Sequence, residues 1–231
     1  MKKETNKETF PWKKVLVIAV GVLFVFMMVL SAMGMSWLQS FRTVRANDSV
    51  TLDFTLLDAR GMPVLTTDQN VYRTGIMNGG MPFLTSPLAV RAGYVGNPAY
   101  TGLDAVNYYL TETGTMVKFG ILGQELDELD VAVLGMKTGE TKTVPFSFSV
   151  PPIIFMDYEL TAMGGNFTTV RVGDPIPLGF SETPMVSGLE GLNSTPENGA
   201  MRIGTVINKT GNSIGVDHQY PTADIMVKSI G

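Results

Sequence analysis

Few residues of this chain could do acid–base, nucleophilic or metal chemistry. The sequence has no Cys and one His, His218, which excludes thiolate sites, cysteine nucleophiles and multi-histidine metal sites. His218 follows Asp217, but no Gly-x-Ser-x-Gly nucleophile motif accompanies the pair, so a turn histidine is the simpler interpretation. Asp127, Glu128 and Asp130 could bind a hard metal ion, although acids placed against a helix dipole are favoured. We therefore expect no metal and no cofactor.

The overall composition excludes further classes. The chain has 231 residues, a formal net charge of −4 and a pI near 5.0, which argues against a nucleic-acid partner. Its mean hydropathy of +0.18, with only 16% charged residues, is high for a soluble enzyme. These values indicate one concentrated apolar segment.

That segment follows a basic tail. Residues 15–41 contain no ionisable side chain, and the apolar run matches the roughly 20 residues with which a helix crosses a bilayer. Because most nearby lysines precede the run, we predict a cytoplasmic tail over 1–14, a transmembrane anchor in the lipid bilayer over 15–38 and an extracytoplasmic domain over 43–231. The protein is thus expected in the cell membrane, with a single pass. A signal peptide cleaved near residues 32–34 is the alternative, which the length of the run disfavours.

The pattern behind this segment predicts strands and one short helix. Alternating apolar residues over 50–57 predict a half-buried strand, followed by a short partner over 63–67. An acid at Asp127 as N-cap and Gly135 as the stop predict a helix of about two turns. Further strands are predicted over 143–150, 202–208, 213–217 and 224–230. This content indicates an α+β fold.

Two long stretches carry no clear period. Residues 71–118 and 156–202 are rich in Gly and Pro and are too long for ordinary loops. We predict that both are insertions. The Met and Tyr side chains of the first could offer adaptable contacts to unfolded segments.

Three sequence blocks resemble the FKBP-type peptidyl-prolyl isomerases. Residues 50–67 read VTLDFTLLDARGMPVLTT, like the first hairpin of that family. Residues 123–146 read GQELDELDVAVLGMKTGETKTVPF, with the Ala, Gly-Met and Gly-Glu of the family helix and turn in the family order. Residues 206–223 read VINKTGNSIGVDHQYPTA, which is similar to the return from the flap of the SlyD-like branch. The resemblance implies an FKBP-like antiparallel sheet wrapped on one short helix, with two insertions.

The resemblance also implies an apolar prolyl-binding pocket. Phe54 takes the place of the pocket Tyr, Val64 that of the pocket Phe, and Leu65 stands where the family has Asp. Leu126 is implied to hold the substrate carbonyl through its backbone N–H, and Leu129 to form the pocket floor. Plain core packing is an equal alternative for these apolar side chains.

Phe155 and Met226 are implied to replace a later Tyr and Phe of the pocket and to contact substrate. The change to Leu65, together with Pro-Pro-Ile-Ile-Phe over 151–155 in place of Ala-Tyr-Gly, removes polar groups from the pocket, so activity is expected to be weakened or lost. Two functions stay open. One is a membrane-anchored peptidyl-prolyl isomerase or foldase that acts on proline-containing exported polypeptides. The other is a non-catalytic FKBP-like accessory subunit bound to a membrane-protein partner.

Overall fold

The computed structural model describes residues 12–32, 42–107, 116–180 and 199–231. The chain divides into two units, residues 1–42 and 43–231, and the first contains helix α1, Trp12–Ala32. Among the described residues, no helix combines the length and apolar character that a membrane crossing needs. The prediction of a transmembrane helix over 15–38 is therefore wrong for the described part of this segment, where the helix is α1. The extracytoplasmic location stays a prediction.

The second unit is built mainly from strands. Its described helices are α2 (Gln69–Met77), α3 (Gly123–Ala132) and α4 (Asp157–Ala162). Its described strands are β1 (Ser49–Leu57), β2 (Pro63–Thr66), β3 (Phe83–Thr85), β4 (Leu88–Arg91), β5 (Tyr100–Val106), β6 (Met116–Leu122), β7 (Thr141–Pro145), β8 (Ile153–Met156), β9 (Pro175–Phe180), β10 (Ala200–Lys209), β11 (Ser213–Asp217) and β12 (Thr222–Ile230).

The twelve strands join one mixed sheet. Their order is β7-β12-β1-β2-β3-β5-β6-β10-β11-β8, with β4 also paired to β1 and β9 to β10. The pairs β2–β3 and β6–β10 are parallel, whereas the other pairs are antiparallel. The prediction of an FKBP-like antiparallel sheet wrapped on one short helix, with two insertions, is therefore wrong.

The difference arises in the stretches without a readable period. The predicted insertion over 71–118 supplies β3, β4, β5 and the start of β6, which pair into the sheet beside β1, β2 and β10. Helix α2 forms the crossover that a parallel β2–β3 pair requires. The predicted insertion over 156–202 supplies α4, β9 and the start of β10. Strands β3 and β4, with three and four residues, are too short for a local period to reveal them.

Two apolar cores fill this unit. The main core consists of buried side chains from β1 to β7, α3, β10 and β12, with smaller contributions from the connecting segments. It includes Val50, Leu52, Phe54 and Leu56, which alternate along β1 and are at most 2% exposed. The second core lies between α4 and strands β9, β10 and β11. It consists of Leu160, Phe167, Ile176, Leu178, Val206, Ile214 and Val216.

Helix α3 starts at Gly123, four residues before its predicted N-cap at Asp127. The N-cap is Leu122, whose amide N–H donates to the Glu125 carboxylate at 2.9 Å. This bond satisfies one of the amides that lack an acceptor at a helix start. The helix ends at Ala132 with Val133 as its C-cap, so the stop predicted at Gly135 comes two residues late. Gly135 lies in the following turn, with a φ of +79°, and its amide donates to the Val44 carbonyl at 2.9 Å.

Candidate functional site

The five residues of the implied prolyl pocket lie together in the main core. Phe54 is on β1, Val64 and Leu65 are on β2, and Leu126 and Leu129 are on α3. Their exposed fractions range from 0% to 6%. The structure thus brings the five residues into one cluster and encloses their side chains, which is the arrangement that core packing produces.

The backbone of Leu126 also has a structural role. Because α3 begins at Gly123, Leu126 is its fourth residue. In an α-helix this is the first position whose amide has an acceptor within the helix, here the carbonyl of the N-cap Leu122. A substrate carbonyl at the Leu126 amide would have to compete with that helix bond.

Phe155 and Met226 lie apart from the cluster of five. Phe155 is on β8 and packs against the second core. Met226 is on β12, opposite Asp53 of β1 and Thr141 of β7, with 36% of its surface exposed. The structure therefore does not join either residue to the implied pocket.

The acids of α3 hold a neighbouring loop. One Asp127 carboxylate oxygen accepts the amide N–H groups of Gly96 and Asn97, each at 3.0 Å, and the Asn97 side-chain amide at 2.8 Å. Asp130 accepts the same Asn97 side chain at 2.8 Å and the Arg91 amide at 3.1 Å. Within the described ranges, no group of three or more His, Asp or Glu could hold a metal ion. Asp127 and Asp130, which the sequence suggests for a helix start or a metal site, thus hold the loop that contains Asn97.

The same contacts shift the two pKa values in opposite directions. Burial raises the pKa of Asp127, but the hydrogen bonds from Asn97 and Gly96 outweigh it, so the pKa is lowered overall. Burial dominates at Asp130 and raises its pKa, although bonds from Asn97 and Arg91 oppose the shift. The negative charge of Asp127 adds to the rise at Asp130.

A fully buried ion pair connects β10 to α3. Arg202 and Glu125 both have fully buried side chains, and the guanidinium makes two hydrogen bonds to the carboxylate, one of them at 2.9 Å. Arg202 also donates to the carbonyls of His218 and Gly120, each at 2.7 Å. Burial lowers the pKa of Arg202, but the charge of Glu125 reverses this and raises it. The arginine thus remains charged and joins three segments of the chain.

Two residues that follow β11 complete this buried cluster. The Arg202 guanidinium lies over the Tyr220 ring, 4.1 Å from its centroid, and the Tyr220 hydroxyl donates to the Ile203 carbonyl at 2.9 Å. Burial raises the pKa of Tyr220. His218 is buried beside them, where desolvation and the positive charge of Arg202 lower its pKa. The single histidine is therefore neutral at pH 7 and belongs to a packed cluster rather than to a surface turn.

The sequence alone does not reveal this cluster, because its members lie far apart in the chain. Arg202 and Glu125 are separated by 77 positions. One feature of the sequence is informative. Arg202 lies between apolar residues in a predicted strand, and this pattern does not require its charged side chain to face solvent. The identity of its partner is not encoded locally.

Strand β8, at one of the two ends of the strand order, provides a different surface. Within the part of the chain that the structure describes, β8 has one neighbouring strand, β11. Its inward side chains, Ile153 and Phe155, pack against the second core. On the other face, Ile154 is 53% exposed and Met156 40% exposed, and Tyr158 at the start of α4 is 71% exposed. An end strand with exposed apolar side chains can accept an added strand from another polypeptide.

Comparison with protein-family models gives no match, and comparison with curated proteins gives none.

Proposed function

We propose that this protein is a foldase that binds extended apolar segments of unfolded, proline-containing polypeptides along β8 and isomerises their X-Pro bonds. The binding rests on one observation, the exposed apolar side chains of the end strand β8. The isomerisation rests on the resemblance of residues 50–67 and 123–146 to FKBP-type isomerases.

This reaction suits a chain without catalytic nucleophiles. The barrier of about 18–20 kcal/mol to rotation of a peptide bond comes from amide resonance. A water-poor apolar site that favours the twisted amide lowers this barrier without making or breaking bonds. The buried apolar residues of β1, β2 and α3 provide such an environment if a prolyl ring enters between them.

Binding at β8 would assist the reaction by tethering. A polypeptide held at one site presents its X-Pro bonds to the rest of the same protein at a raised effective concentration. A weak isomerase site would thereby act well on long chains and poorly on short peptides. This difference gives the proposal a direct test.

The test compares two substrates with the full-length protein in a mild detergent. One substrate is a protein whose refolding is limited by X-Pro isomerisation, and the other is a tetrapeptide with one X-Pro bond. We expect the double variant Ile154→Ser/Met156→Ser to lose acceleration of protein refolding and to keep any acceleration of the tetrapeptide. Val172→Ser is the matched control, because Val172 is 61% exposed and lies outside β8. Unchanged refolding with the double variant would refute the role of β8.

A second candidate function is the non-catalytic accessory subunit. One observation favours it: the side chains of the implied pocket are at most 6% exposed. A folded protein that leaves the tetrapeptide rate unchanged would favour this candidate. Acceleration that falls in Phe54→Leu, which keeps an apolar side chain in the core, would favour the isomerase.

A further inference from the structure

Backbone hydrogen bonding limits what β8 can bind. The β8–β11 pair is antiparallel, with Ile154 opposite Gly215 and Phe155 opposite Ile214. The Asp157 amide donates to the Asn212 carbonyl at 2.9 Å, which continues the hydrogen-bonded pairs of this ladder. Because such pairs alternate along an antiparallel ladder, Ile153 and Phe155 bond to β11 and the backbone groups of Ile154 and Met156 point to the open side.

Met156 is already occupied on that open side. Its amide N–H donates to the Glu159 carboxylate at 2.7 Å. Met156 is also the N-cap of α4, and the carbonyl of an N-cap accepts the first bond of its helix. At the other end, Pro152 has no amide N–H. Among the described residues of this strand, Ile154 is thus the one that offers both a free donor and a free acceptor to an added strand.

The surroundings of this position are apolar on one side and acidic at one end. Ile154 and Met156 present their side chains on the same face, since they are two residues apart in a strand. Beyond Met156 lie the carboxylates of Asp157, which is exposed, and Glu159. Residues 151–162 contain no Lys or Arg, so a positively charged group at this end would meet complementary charge.

We propose that β8 takes a short extended segment in which one residue exchanges two hydrogen bonds with Ile154, apolar side chains flank it, and a Lys or Arg lies at the α4 end. Glu159 sets this selectivity in two ways. Its carboxylate closes the edge at Met156, and its charge attracts the basic residue. This inference rests on the proposed binding of polypeptides at β8.

Fluorescence anisotropy with the full-length protein in a mild detergent tests the proposal. The probe is a labelled peptide of alternating Val and Ser with Lys at both ends, and its counterpart has Glu at both ends. We expect the Lys peptide to bind about two- to five-fold more tightly, the size of an exposed ion pair. Glu159→Gln should weaken this preference, because the charge of Asp157 remains, while keeping an oxygen that accepts the Met156 amide.

Two controls separate the site from general attraction. Asp104→Asn makes the same charge change at a 55% exposed side chain on β5 and should keep the preference. The Lys peptide methylated at its central amide should bind about two- to ten-fold more weakly, the size of one or two hydrogen bonds. This peptide needs no variant protein, so the result does not depend on a variant folding correctly.

The outcomes distinguish this inference from the proposed function. If the preference is as large in Glu159→Gln as in the unchanged protein, or if methylation has no effect, the assigned selectivity is wrong although binding at β8 stands. If neither peptide binds, and the Ile154→Ser/Met156→Ser variant accelerates substrate refolding as much as the unchanged protein does, the proposed polypeptide binding at β8 is wrong as well.

Discussion

The buried ion pair between Arg202 and Glu125 permits a quantitative test of the packing. Arg202→Met removes the guanidinium but keeps a long apolar side chain, which leaves the Glu125 carboxylate without its charged partner. Glu125→Gln removes the negative charge but keeps an oxygen that can accept the Leu122 amide. The double variant removes both charges and keeps the hydrogen bond from the Leu122 amide that caps α3.

The expected losses follow from what each change leaves buried. Breaking a buried pair from one side costs about 3–5 kcal/mol of unfolding free energy, because the remaining charge is uncompensated. In the double variant no charge remains, but the carbonyls of Gly120 and His218 have lost the Arg202 donors. Two such carbonyls cost about 2–4 kcal/mol together. We therefore expect the double variant to be less destabilised than the sum of the single variants by at least about 2 kcal/mol.

Urea unfolding of the four proteins, followed by far-ultraviolet circular dichroism, measures this coupling. The exposed pair Lys118–Asp104 is the control, because its side chains approach to 2.7 Å yet are 53% and 55% exposed. Its double-variant cycle should give at most about 1 kcal/mol. Additive losses at Arg202 and Glu125 would refute the reasoning, since they would mean that neither charge depends on the other.

Three further predictions concern α3 and β2. Gly123→Ala should destabilise the protein strongly, because the new Cβ would lie 2.1 Å from a backbone carbonyl of the neighbouring loop, whereas Gly179→Ala, with nothing within 4 Å, should have little effect; thermal unfolding compares them. Asp127→Asn and Asp130→Asn should change the pH dependence of urea unfolding in opposite directions. The lowered pKa of Asp127 contributes stability above its unfolded value of 3.8 that is lost as the pH falls through the folded pKa, so the loss in Asp127→Asn should shrink in acid. The raised pKa of Asp130 contributes stability below 3.8 that is lost as the pH rises through the folded pKa, so Asp130→Asn should gain relative stability towards neutral pH. Leu65→Asp, which restores the acid implied by the family resemblance at a fully buried position, should unfold the protein at neutral pH rather than create activity, and Leu65→Asn should cost less; retained stability in Leu65→Asp would mean that this site opens to water.

The sequence predicts the elements whose side chains alternate cleanly. The predicted strands over 50–57, 213–217 and 224–230 correspond to β1, β11 and β12, because one face of each strand meets a core. The sequence predicts the N-cap of α3 five residues too late, because Asp127 resembles an N-cap whereas the N-cap is Leu122 and Glu125 caps its amide from inside the helix. Local patterns therefore predict the strand periods better than the helix boundary.

The sheet as a whole could not be predicted in this way. Strands β3 and β4 have three and four residues, too few to show a period, and they pair with β2 and β1. The candidate site shows the same limit. Phe54, Leu65 and Leu129, which the resemblance assigns to one pocket, all lie in the main core, because an apolar side chain has the same sequence signal whether it lines a pocket or fills a core. For the same reason, the exposed Ile154 of β8 could not be told from a core residue.

The place of β12 in the sheet has a consequence for biosynthesis. β12 lies between β7 and β1, and nearly every residue of β1 has a partner on it. The ribosome makes β1 first among these strands and β12 last, so the backbone of β1 lacks this partner while all the intervening segments are being made. The nascent domain thus carries an open strand edge next to an unfinished core until residue 230 has been added, and such edges are prone to pair with other chains. A protein proposed to bind unfolded polypeptides would therefore expose, during its own synthesis, a strand edge to which other chains can pair.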